Sequence, residues 1–143
     1  MNGSTSRREF LAASAMALLA YLTRAADLRA ASAPPRSSGT HPTPRPGITA
    51  AKVPRREELA DAEDAIPAFD MVRQIPEIAD GIRCNCGCAG MEGSYSLLSC
   101  YEGPNAMAKH CQVCQGEGRL AFRMHESGKS LDEIRKGIDA RFG

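Results

Sequence analysis

The chain has 143 residues, 18 Lys/Arg against 17 Asp/Glu, and a formal net charge of +1. That balance hides a division. Residues 1–56 hold nine of the bases beside only two acids, Glu9 and Asp27, whereas residues 57–143 hold 15 acids. An acidic C-terminal part excludes nucleic acid as a partner, since phosphates require a basic face. It leaves about 85 residues, with no Trp, for a folded unit that buries too little surface to stand without a staple.

The basic part reads first as an address. Ser6-Arg7-Arg8-Glu9-Phe10-Leu11 precedes an apolar, Ala- and Leu-rich run from Phe10 to Leu22. Paired arginines before a mildly apolar run form a twin-arginine signal pattern, expected over residues 1–33. The run is too short to span a bilayer, which takes roughly 20 residues. Passengers of that route cross already folded, so the chain is expected outside the cytoplasmic membrane, periplasmic or membrane-tethered. The cytoplasm keeps thiols reduced, and a domain folded before export can be held there by metal but not, in general, by disulfides.

Residues 34–56 are rich in Pro, Ser, Thr, Gly and Arg without apolar periodicity, which predicts an extended, disordered linker. His41 reads there as a linker residue. A Cys-rich helical domain is expected over 57–143. Glu57 to Ile66 predicts a short acidic helix stopped at Pro67. Phe69, Val72, Ile75, Ile78 and Ile82 then recur at steps of three or four, one helical stripe that Pro76 should divide.

Residues 83–104 hold four Gly, one Pro and four Cys and should be irregular, with Leu97 and Leu98 pointing inward. A long helix is predicted from about Asn105 to Ser127, weakened by Gly116 and Gly118 and capped by Gly128. Ser130-Leu131-Asp132-Glu133 is a capping box opening a last helix, with Leu131, Ile134, Ile138 and Phe142 on one side. The fold class is mainly α: a small Cys-rich helical domain with an irregular Cys loop after a disordered tether.

All six cysteines lie between positions 84 and 114. In Cys84-Asn85-Cys86-Gly87-Cys88, neighbouring thiols two apart cannot readily bridge each other. They can turn toward one centre if the backbone curls, which Gly87 permits. Cys100 follows, then His110-Cys111-Gln112-Val113-Cys114, expected on the long helix with its ligand side chains on one face. Thiolate and imidazole suit zinc, copper(I) or iron–sulfur centres. The candidate metal ligands are therefore Cys84, Cys86, Cys88, Cys100, His110, Cys111 and Cys114, with zinc or copper as the ion. Three disulfides form the competing arrangement, and a thiol–disulfide oxidoreductase acting through Cys111 and Cys114 is a further alternative. No phosphate-binding loop, nucleophile elbow or haem attachment signal occurs, which argues against an enzyme. Met71, Met91, Met107 and Met124 read as apolar filler.

At these residues the domain resembles the exported bacterial family named for its P-C-Y-C-G-C motif. The likeness rests on Cys84-Asn85-Cys86-Gly87-Cys88, Ser96-Leu97-Leu98-Ser99-Cys100, Cys111-Gln112-Val113-Cys114 and Gly128-Lys129-Ser130-Leu131-Asp132-Glu133-Ile134-Arg135. Arg83 and Asn85 stand where the motif has Pro and Tyr. Ser94 and Tyr95 occupy the place where that family commonly has a His. The resemblance implies the domain and the Cys constellation, but no activity. Cys111-Gln112-Val113-Cys114-Gln115 with the C-terminal helices also looks like the thiol oxidoreductase subunit of cytochrome c maturation, which reduces apocytochrome thiols. The loop of Cys84, Cys86 and Cys88 has no counterpart there. A metal ion and a membrane-associated protein are the expected partners.

Overall fold

The computed structural model describes residues 39–87 and 94–143. The signal segment and Cys88 lie outside these residues. Among the described residues the secondary structure is helical, with no strand. The helices are α1 (Ile66–Gln74), α2 (Pro76–Asp80), α3 (Gln112–Glu126) and α4 (Leu131–Phe142). Short 3-10 turns occupy Arg56–Glu58, Glu63–Ala65, Leu98–Tyr101 and Met107–Lys109.

The mainly α fold class holds, but three helix boundaries differ from expectation. The acidic stretch 57–66 forms two 3-10 turns, not an α-helix. Pro67 does not stop a helix; it lies in the first turn of α1, where its missing N–H would have had no partner anyway. Pro76 does divide the stripe and opens α2. The long helix begins at Gln112, not near Asn105, because Cys111 is extended (φ −100°, ψ 107°) and serves as its N-cap.

α1 packs against α3, and α4 covers α3 from another side. Phe69 and Val72 of α1, Ile82, Leu97, Leu98 and Tyr101 of the loop, and Ile134 and Ile138 of α4 are all fully buried. Each aliphatic side chain so buried contributes roughly 1.5–3 kcal/mol. Phe69 and Tyr101 meet edge to face with ring centroids 4.8 Å apart. Gly118 makes this contact possible: a Cβ there would lie 2.3 Å from the Tyr101 hydroxyl and 2.8 Å from Val72. The glycine that weakens α3 locally is what lets α1 and Tyr101 approach it. After Ser127, Gly128 takes φ +77° and ends the helix. Ser130 and Glu133 form the expected capping box of α4.

Residues 39–54 carry no helix, but they are not solvated linker. Arg45 donates to Asp80 from its backbone N at 2.8 Å and from Nη2 at 2.7 Å. Ser96 Oγ donates to the same fully buried carboxylate at 2.8 Å. Burial opposes the charge of Asp80, yet the hydrogen bonds from Arg45 and Ser96 outweigh it and hold its pKa below the usual value. Pro42 O accepts from Arg135, Thr43 O from Tyr95, and Val53 is buried. Composition marked this stretch as unable to form a core of its own; it is ordered instead by polar contacts to residues up to 98 positions away. His41 belongs to this strap: its Nδ1 accepts from Arg83 N and its Nε2 meets Asp139, both at 3.0 Å.

Candidate metal centre

Three pieces of backbone bring thiols together. Ile82 is buried, and its carbonyl accepts from Leu97 N at 2.7 Å, closing the base of the Cys loop. Cys84 and Cys86 leave this base on one arm, and Gly87 turns the chain away with φ +84°, as its lack of a Cβ allows. Cys100 arrives on the other arm, within the 3-10 turn Leu98–Tyr101. Cys114 rises from the first turn of α3 and is fully buried.

The thiols of Cys84, Cys86, Cys100 and Cys114 all lie within 4.8 Å of one another. Cys84 Sγ is 3.1 Å from Cys86 Sγ and 3.5 Å from Cys114 Sγ. Four sulfurs around one tetrahedral zinc, each at about 2.3 Å, stand about 3.8 Å apart, so the spacing fits a single ion. Cys84, Cys100 and Cys114 are buried and Cys86 is half-buried, which leaves one edge toward solvent. Four clustered cysteines thus form a group able to hold a metal ion.

Of the other expected ligands, Cys88 lies outside the described residues, and Cys111 and His110 are not part of this group. Cys111 is not in the group: its Sγ accepts from Cys114 N at 3.5 Å, so the thiol caps the helix that Cys114 belongs to. His110 is exposed and lines a surface groove with Asp61, Asp64 and Lys109. The helical spacing argument for both residues fails because neither lies inside α3. Met124 packs against the core beside Gly137, as filler does.

Crowding governs the electrostatics. The Cys100 thiol beside it, together with burial, pushes the Cys84 pKa up. Every influence on Cys114 acts in the same direction: Cys100, then Cys84, then burial raise its pKa. Without a compensating cation these groups stay thiols; a bound cation reverses that logic and displaces their protons.

Sequence reasoning missed Glu117. It is fully buried on α3, and burial first, then the neighbouring Cys84, push its carboxyl up to about 9. Oε1 accepts from Asn85 N at 2.9 Å. A signal existed: Glu117 follows Cys114 by three residues, which puts a charged residue on the same face as the helix's buried Cys.

Comparison with known proteins finds no matching family model, no matching curated protein and no matching solved structure.

Proposed function

We propose that this domain holds one soft metal ion through Cys84, Cys86, Cys100 and Cys114 and serves in metal handling outside the cytoplasmic membrane. The observation that carries this reading is the convergence of four thiols, three of them buried, within 4.8 Å. Thiolate sulfur selects zinc and copper(I) among common ions, and four sulfurs near tetrahedral spacing favour zinc. The ion would also supply the staple that so small a core needs. The twin-arginine pattern supports export of the folded, loaded domain, and a membrane-associated protein is the proposed recipient. Kinship with the P-C-Y-C-G-C family is part of the same proposal, on the motif residues alone.

The oxidoreductase alternative is less well supported. Such a pair works by joining and parting its two sulfurs, whereas the geometry gathers Cys114 with Cys84, Cys86 and Cys100 and leaves Cys111 outside that group.

Titration of the reduced full chain with cobalt(II), then displacement by zinc, tests the reading. Thiolate-to-cobalt charge-transfer bands saturating at one ion per chain are expected. Cys114→Ser should abolish them. Absence of these bands in the wild-type chain overturns the reading.

A further inference from the structure

Glu117 lies one turn beyond Cys114 on α3, with none of its surface exposed. Its Oε1 accepts the N–H of Asn85 at 2.9 Å, the residue between Cys84 and Cys86. The Asn85 side-chain Oδ1 and Nδ2 are buried without a hydrogen-bond partner among the described residues, so the backbone amide makes the contact. A buried carboxyl is costly unless its polar atoms are used, and Oε2 of Glu117 has no hydrogen-bond partner among the described residues. A leucine at this position would continue the apolar face of α3 without that cost. Among the described residues, the hydrogen bond at Glu117 Oε1 is the one from the backbone of the cysteine turn.

The geometry points to Glu117 as the positioning residue of the thiol cluster, pinning the Cys84-Asn85-Cys86 turn onto α3 so that Cys84 and Cys86 meet Cys114. The two thiols on either side of Asn85 cannot swing away while its amide is held. Partners of this kind, outside the ligand set, orient ligands and change metal affinity by about 10–100-fold when removed. The consequence for metal rests on the proposed function; the pinning rests on geometry alone and is tested separately.

The test compares the full chain with Glu117→Gln, which keeps an acceptor oxygen, and Glu117→Leu, which does not. In the metal-free, reduced proteins, alkylation of Cys84 is followed by mass spectrometry against Cys111 as internal reference. Glu117→Leu should speed Cys84 modification about tenfold or more, the effect of losing one hydrogen bond to a charged or buried acceptor, and Glu117→Gln should restore wild-type behaviour. In cobalt and zinc titrations, Glu117→Leu should bind about 10–100-fold more weakly, and Glu117→Gln should not. An unchanged Cys84 rate in Glu117→Leu overturns the inference. If the wild-type chain binds no metal, the metal reading fails and the alkylation comparison still decides the pinning. If Glu117→Leu loses its helical circular dichroism, hydrogen exchange of the wild-type Asn85 amide decides. Strong protection is expected, and exchange at the rate of an exposed loop overturns the claim.

Discussion

The Tyr101 hydroxyl donates to the Cys114 carbonyl oxygen at 2.7 Å, joining the turn that carries Cys100 to the helix that carries Cys114. Both residues are fully buried, so this bond sets the separation of two thiols from opposite ends of the loop. Tyr101→Phe should cost about 1–2 kcal/mol in chemical denaturation and weaken metal binding while keeping the fold. A variant with unchanged stability would show that the contact does not hold the loop.

Gly118 makes the approach of Tyr101 possible. Gly118→Ala places a Cβ 2.3 Å from the Tyr101 hydroxyl and 2.8 Å from Val72, both of which are fully buried. It should destabilise the domain by about 2–3 kcal/mol, although alanine favours helices. A raised midpoint in urea would contradict the packing of α1 against α3.

The strap of residues 39–54 makes its own prediction. Asp80 accepts from Arg45 and Ser96 while fully buried, so Asp80→Ala should cost about 3 kcal/mol. The folded Asp80 has a pKa below its ordinary 3.8, so its contribution is present above that pH and lost as pH falls through the folded value. Acid unfolding of the wild type, followed by circular dichroism, should therefore begin below about pH 4 and be weakened in Asp80→Asn.

Much of the helical scaffold was legible from periodicity. The stripe from Phe69 to Ile82, the break at Pro76 and the capping box at Ser130 all reflect local rules that need no knowledge of the fold. The strap was not legible, because its order comes from partners such as Asp80 and Arg135, distant in sequence, and not from its own composition. The thiol group was partly legible. Spacing nominated the loop cysteines and Cys114, but the extended Cys111 starts α3 later than expected. That difference of about two turns turns Cys111 into a cap and leaves His110 on the surface. Cys111→Ser should consequently keep full metal stoichiometry and stability within about 0.5 kcal/mol, since serine caps a helix well. Loss of the metal in that variant would return Cys111 to the ligand set.

Glu117 gives a pH signature opposite to that of Asp80. Its folded pKa is about 9 against an ordinary 4.5. Its contribution to metal-free stability is therefore complete below pH 4.5 and is lost as pH rises toward 9. Glu117→Gln removes this dependence and should stabilise the metal-free chain by about 3 kcal/mol at pH 7, with little change at pH 4. Parallel stability profiles for the two proteins across pH 4–9 would place the carboxyl in water.

The most direct test of the account is the metal content and thiol status of the protein isolated natively from cells that export it. Elemental analysis should give one zinc or copper per chain. Cys84, Cys86, Cys100 and Cys114 should resist alkylation until a chelator is added, while Cys111 reacts. A metal-free chain in which these four cysteines are joined by disulfide bonds would contradict it.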